Sequence, residues 1–214
     1  MKQMANTNAR SAAFLGDSWR QQLKYFAEWG GGAWRSLLET AVCEVLKDDG
    51  LEGANLLEIG TRYGKLACFF SLMGSRVTAV DICAQPLVAA REEARKWNVQ
   101  PQFLKYDGDL DVFPDGSFDV IFTKSVLVVV PDLDLFLRKI SAKLRPGGRI
   151  IFLENRKGGC LHILRYLRRG PMELSGRRYF SSTEVDLIHA LFDGVVVKRI
   201  LFPPVYLFMG KKKS

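Results

Sequence analysis

The sequence holds no long apolar run. Its longest apolar stretches, VLVVV near residue 128 and VYLFMG near residue 207, are far too short to span a bilayer, and the opening MKQMANTNAR is polar, without the apolar run of a signal peptide. These absences predict a cytoplasmic protein with no transmembrane segment, whose membrane contact is at most peripheral. Cysteine is scarce, and Cys43, Cys68, Cys83 and Cys160 show no paired metal-ligand spacing. Three of them lie in segments that read as core helix or strand, so reduced thiols are expected, with neither a metal site nor a disulfide framework. Histidine is scarcer still, with only His162 and His189. Internal repeats and a Gly-x-Gly-x-x-Gly run are both missing.

What is present is globular. The 214 residues are 48% hydrophobic and 25% charged, enough for one substantial core and too few for two domains of ordinary size. A single domain over 1–214 is therefore expected. The formal net charge of +8 predicts attraction to anions, be they nucleic acid, a phosphorylated or carboxylated metabolite, or a membrane surface. Charge alone does not choose among them, and no exposed apolar strip reveals an oligomeric state.

After an aromatic-rich segment from Trp19 to Trp29, Gly30-Gly31-Gly32 breaks the chain before a helical pattern from about Ala33 to Leu46. Residues 1–50 thus read as a helical N-terminal cap. Short apolar runs then alternate with helix-length segments: NLLEIG, RVTAVDI, QFLKYD, FDVIFTK and RIIFLEN as strands; KLACFFSLMG, PLVAAREEARKWN and LDLFLRKISAKL as helices; Pro146-Gly147-Gly148 as a turn. Such alternation predicts a Rossmann-like, doubly wound α/β fold with a mostly parallel sheet, its cofactor-binding core over 51–155. A basic insertion over 156–180 follows. Residues 181–214 close the chain with a helix started by Ser181 and Glu184 in capping-box spacing, then VVVKRILF and VYLFMGKKK as an antiparallel pair about Pro203-Pro204. The sheet is thus expected to have seven strands, with the last one reversed. Lys211-Lys212-Lys213 reads as a solvated tail.

The chemistry gathers at the carboxyl ends of the predicted strands. In LLEIGTRYGKL an apolar strand runs into a turn with glycines at 60 and 64 and then a helix, the geometry in which backbone approaches a nucleotide-like ligand. Alone, that turn could be a tight connection with no ligand. Asp81 ends the next strand about 20 residues on, where a carboxylate can accept from both hydroxyls of a ribose. Asp107 follows the third strand. Glu58, Asp81 and Asp107 would line one cleft in order, a concurrence that isolated caps or turn residues do not explain.

With these motifs in hand, the stretch from Asn55 to Gly210 resembles the class I S-adenosylmethionine-dependent methyltransferases. LLEIGTRYG is similar to the family's first motif, with Glu58 as its acidic residue, and AVDI to the second, with Asp81 on the ribose hydroxyls. YDGDLDVFPDGSFDVIF resembles the family's third-to-fourth strand stretch, with Asp107 near the adenine amino group. LRPGGRIIFLEN resembles the approach to its fifth strand. The resemblance implies S-adenosylmethionine as cofactor, S-adenosylhomocysteine as product, and a cofactor site drawn from Glu58, Gly60, Thr61, Arg62, Gly64, Asp81, Ile82, Asp107, Gly108 and Lys124. Arg62 departs from the family, which carries a middle glycine there. Its side chain must point away from the cofactor, reach the cofactor's carboxylate, or narrow the site.

Methyl transfer asks the protein to position an acceptor, exclude water and sometimes remove a proton. His162, in the basic insertion, is the catalytic candidate; a surface histidine on an amphipathic helix is the competing reading. His189 reads as a helix-face residue. Ser125 and Glu154, with Lys124, stand where the fold puts groups near the transferred methyl. Arg165 in HILRYLRRG fits either an amphipathic lid over an anionic acceptor or a helix with a solvated basic face. Tyr25 and Trp29, with Trp34, either cover the site or fill the core. The expected acceptor is a small molecule, with oxygen on an anionic, glycosylated or lipid-like metabolite preferred. The alternatives are RNA or protein methylation, a non-catalytic scaffold, and NAD(P)-dependent oxidoreduction. Nucleic acid is not favoured, since no separate RNA-binding module is visible and Pro203-Pro204-Val205-Tyr206 stands in the last hairpin, where it reads as a turn.

Overall fold

The computed structural model describes residue 23 and residues 36–43, 51–157, 178–200 and 204–213. Tyr25, Trp29, Trp34, Cys160, His162 and Arg165 lie outside the described residues, as do most of the expected cap and insertion. Residues 36–43 are helical. The strands are β1 (Asn55–Ile59), β2 (Arg76–Asp81), β3 (Gln102–Lys105), β4 (Phe118–Lys124), β5 (Leu144–Asn155), β6 (Phe192–Ile200) and β7 (Val205–Lys212). The helices named here are α1 (Lys65–Leu72), α2 (Ala84–Trp97), α3 (Leu133–Lys143) and α4 (Ser182–Leu191). The strands form one seven-stranded sheet in the order β3-β2-β1-β4-β5-β7-β6, the expected Rossmann-like architecture. By internal contacts the chain divides into two compact units, Met1–Asp109 and Leu110–Ser214.

In the first unit β1 and β2 run parallel with Ile59 opposite Val80, and β2 and β3 run parallel with Asp81 opposite Lys105. Their carboxyl ends therefore share one edge, as the sequence pattern requires. Leu56, Leu57 and Ile59 of β1 are buried, and from α1 Phe69 and Phe70 pack edge to face at 5.6 Å. Helix α2 buries Leu87, Ala90, Glu93 and Ala94 on one stripe and stops at Asn98, whose left-handed φ of 52° is tolerated by a short polar side chain. It starts at Ala84, ahead of the PLVAAR pattern. Pro86 lies in its first turn, where the missing N–H would have had no helical partner anyway.

In the second unit β4 and β5 are parallel, while β7 runs antiparallel to both β5 and β6. This is the reversed closing strand. The Pro146-Gly147-Gly148 segment, expected as a turn ahead of the fifth strand, lies within the span of β5 instead. Between Phe118↔Leu144 and Val120↔Arg149, one residue of β4 is matched by four of β5, so the segment bulges out of the ladder. A second irregularity between Asp193 and Val196 starts β6 earlier than its VVVKRI pattern, with Gly194 at φ 58°. Helix α3 is capped by the Asp132 carboxylate, which accepts from the Leu135 N–H at 3.0 Å. Its buried Leu133, Phe136, Leu137 and Ile140 follow the helical period. Helix α4 opens with the expected Ser181–Glu184 pairing, in which the Ser181 N–H and hydroxyl donate to Glu184 at 2.8 and 2.6 Å.

Among the described residues no helix is long and apolar enough to cross a membrane, and no group of His, Cys, Asp and Glu could hold a metal ion. Cys43, Cys68 and Cys83 are free thiols. Cys68 is buried as expected, and burial, then Glu93 and Glu58, push its thiol up to about 12, so it is inert at neutral pH. Cys83 departs from the core reading: it caps α2 in an exposed position, because the strand before it ends at Asp81.

Candidate active site

The site begins with the turn between β1 and α1. The Gly60 and Thr61 N–H groups both donate to the Val80 carbonyl, at 2.8 and 3.1 Å, which pins the turn against the end of β2. Thr61 is buried and its hydroxyl donates to Glu58 at 2.7 Å. Asp81, only 6% exposed, is gripped from two sides: the Arg62 N–H donates to Oδ2 at 2.8 Å and the Cys83 N–H to Oδ1 at 2.9 Å. A carboxylate oxygen offers about two lone-pair sites, so each oxygen retains acceptor capacity after one amide bond. The backbone thus fixes a hydrogen-bond acceptor in a defined orientation. The Cys83 amide was invisible as a site element in the sequence, where only Asp81 itself carries a chemical signature.

Arg62 adopts a left-handed backbone at φ 49°. That conformation costs an L-residue about 1–2 kcal/mol and glycine almost nothing, which gives the resembling family's middle glycine a physical reason. Donation to Asp81 holds the strained backbone in place. The Arg62 side chain is exposed, with its guanidinium 5.5 Å from the centre of the Tyr63 ring. Gly64 has a packing role that the sequence did not show. A Cβ there would sit 2.7 Å from both the Ala90 Cβ and the Phe103 Cζ, so this glycine lets the start of α1 pack against α2 and β3.

Asp107 lies just beyond β3, exposed, with Oδ1 accepting from the Asp109 N–H at 2.9 Å across Gly108 at φ 101°. The Tyr106 N–H donates to the Asp81 carbonyl at 3.1 Å, tying this segment to the end of β2. Tyr106, which sequence reasoning missed, has its hydroxyl pushed up to about 12 by burial and then by Asp81 and Asp107. It therefore stays a neutral donor beside the two acids. Ile82 follows Asp81 with 59% exposure, presenting an apolar surface at the same edge. Glu58, Gly60, Thr61, Arg62, Asp81, Ile82, Asp107 and Gly108 thus gather at one edge of the first unit.

The second unit holds the other candidates. Lys124 ends β4 opposite Leu153 and is half-buried. Ser125 follows at φ 55°, its N–H donating to the Leu153 carbonyl at 2.8 Å and its hydroxyl accepting from Asn155 Nδ2 at 3.2 Å. Glu154 is fully buried, and its Oε1 accepts at 3.2 Å from the Thr123 hydroxyl and from the N–H groups of Val126 and Leu127. It braces the loop after β4. Burial pushes its carboxyl up to about 7 against the opposing pull of these hydrogen bonds. Its Oε2 is buried without a hydrogen-bond partner among the described residues, a condition that a neutral carboxyl tolerates better than a charged one.

The donor set at the first unit's edge fits S-adenosylmethionine: fixed acids for hydroxyl and amino donors, a neutral phenol, and a turn shaped for close approach. Comparison with known proteins bears on the domain and the fold. The methyltransferase domain family matches residues 57–152. A ubiquinone biosynthesis O-methyltransferase of Sodalis glossinidius is 29% identical over 140 residues, covering 60% of this chain and 56% of that protein. Another of the same name, from Aeromonas salmonicida, is 34% identical over 106 residues, covering 49% of this chain and 44% of that protein. The chain therefore spans about half the length of these relatives. Among solved structures, the magnesium protoporphyrin IX methyltransferase of Synechocystis PCC 6803, with S-adenosylhomocysteine bound, superimposes with a TM-score of 0.64 at 17% identity, covering 97% of this chain and all of that one. At that identity the likeness speaks for the fold. Residues 57–152 thus match the methyltransferase domain family, and the sheet order and the acids at the strand ends are those that the resemblance to the class I S-adenosylmethionine-dependent methyltransferases implies.

Proposed function

We propose that the chain transfers the methyl group of S-adenosylmethionine to an oxygen of a small-molecule acceptor. The observation that carries the reading is Asp81, a buried carboxylate held by two backbone amides with acceptor capacity to spare. Asp81 holds the ribose hydroxyls, Asp107 takes the adenine amino group, and Ile82 offers apolar surface to the base. Glu58 and Thr61 keep the turn in shape beneath the cofactor. When bound, the cofactor supplies an electrophilic methyl on sulfonium, so the protein need only orient the acceptor, keep water out and let the acceptor proton leave. Oxygen is preferred because the relatives are named O-methyltransferases of ubiquinone biosynthesis, a name that also favours the lipid-like end of the acceptor range.

The test has two stages. Calorimetric titration of the purified chain with S-adenosylmethionine and S-adenosylhomocysteine is expected to show binding of both. Methyl-labelled cofactor is then supplied with hydroxylated aromatic and lipid-like acceptors, and the product is read by NMR. A labelled methyl ether is the expected product; label on nitrogen or carbon only would remove the oxygen assignment, and no binding at all would remove the reading.

A further inference from the structure

The cofactor of the proposed reaction carries one carboxylate, and the turn beside Asp81 has few backbone donors left for it. Four of the five amides from Gly60 to Gly64 are already committed: Gly60 and Thr61 to the Val80 carbonyl, Arg62 to Asp81, and Gly64 to the Thr61 carbonyl at 3.0 Å. The side chains fixed at this edge, Glu58, Asp81 and Asp107, are acids. They suit hydroxyl, ammonium and amino donors and repel a carboxylate. Within the turn the side-chain cation is Arg62.

From this arrangement we infer that Arg62 is a specificity-determining residue that binds the α-carboxylate of the cofactor through its guanidinium. Three observations converge. The residue holds a left-handed backbone at φ 49°, where glycine would be free of strain, and such strain persists where function compensates for it. Its backbone N–H donates to the Asp81 carboxylate at 2.8 Å, which sets the residue beside the acid assigned to the ribose. The guanidinium faces the Tyr63 ring at 5.5 Å, a platform that orients its planar fork of donors without consuming any of them. Among the described residues its side chain has no ion-pair partner.

The inference rests on the proposed cofactor, and the test separates the two. Affinities of wild type, Arg62→Gly and Arg62→Lys are measured by calorimetry for S-adenosylmethionine and for its decarboxylated form, which keeps the sulfonium and the amine. Wild type is expected to prefer the carboxylated compound by about 10–100-fold, the range of a charge-assisted hydrogen bond. In Arg62→Gly that preference falls about tenfold or more, with the decarboxylated compound nearly unaffected, and Arg62→Lys restores part of it. The ratio cancels any effect of the glycine on the turn itself. Equal weakening of both compounds in Arg62→Gly, or an unchanged preference, overturns the inference while leaving the cofactor assignment intact. Loss confined to the KM of a carboxylated acceptor overturns it too, by moving the contact to the acceptor. Failure of folded wild type to bind either compound removes the proposed function along with it.

Discussion

Asp81 and Glu154 show how differently two buried carboxylates can be held. Both Asp81 oxygens accept from backbone N–H groups, so an amide at this position would turn an NH2 toward one of them. Asp81→Asn is accordingly expected to weaken S-adenosylhomocysteine binding about as much as Asp81→Ala, by about 10–100-fold, which titration calorimetry would measure. Glu154 has one satisfied oxygen and one without a partner among the described residues, and its carboxyl is raised from 4.5 to about 7. The native state therefore binds more protons than the unfolded chain between those values, and this group's contribution to stability falls as pH rises through the window. Glu154→Gln keeps an oxygen for Thr123, Val126 and Leu127 and removes the titration. Its stability relative to wild type is expected to improve between about pH 5 and about pH 8, measured by urea denaturation. A constant difference would show that Glu154 does not titrate there. Glu154→Leu orphans the same donors and is expected to cost about 1–3 kcal/mol.

At the scale of elements, the join between β1 and α1 is where spacing and packing meet. The strand, the turn and the helix were legible because β1 is a short apolar run and α1 a longer one with glycine punctuation between them. That Gly64 is needed for packing was not legible, since Ala90 and Phe103 approach it from other elements. Gly64→Ala combines a left-handed φ of 70° with a Cβ at 2.7 Å from its neighbours, and is expected to destabilise by about 2–5 kcal/mol in chemical denaturation. At Gly108 a Cβ meets nothing within 4 Å, so alanine there incurs the backbone strain alone. The start of α4 was readable from Ser181 and Glu184, three residues apart, because a capping box is a local pattern. Glu184 is held below its usual range: burial opposes this, but hydrogen bonds from Ser181 and the Arg178 charge prevail. Ser181→Ala is expected to cost about 1 kcal/mol, read in the same denaturation.

The molecule as a whole should report ligand binding as stability. A ligand that binds only the native state, at about 100-fold over its Kd, adds about 2.7 kcal/mol. For a chain of this size S-adenosylhomocysteine is then expected to raise Tm by about 5–10 °C in a thermal melt, with little rise for Asp81→Ala at the same concentration. An equal shift in both proteins would place the ligand away from Asp81. The reversed β7 between β5 and β6 belongs to this scale as well, since it closes the sheet with pairing along both of its edges.

Sequence alone determined the class of fold and the residues to watch. Apolar periodicity distinguishes strand from helix along one dimension, parallel strands place their carboxyl ends on one edge, and Glu58, Asp81 and Asp107 could be read off those ends by counting. Tertiary structure decided what each residue does there. Which amide grips Asp81 from 19 residues away, what a Cβ at position 64 would strike, and that Thr123 and Glu154 meet across 31 residues all depend on distances in space. The same holds for Pro146-Gly147-Gly148, whose composition reads as a turn but which β5 accommodates as a bulge because β4 pairs on both sides of it. A single chain records neighbours in order; burial, strain and hydrogen-bond direction arise only when distant segments are packed together.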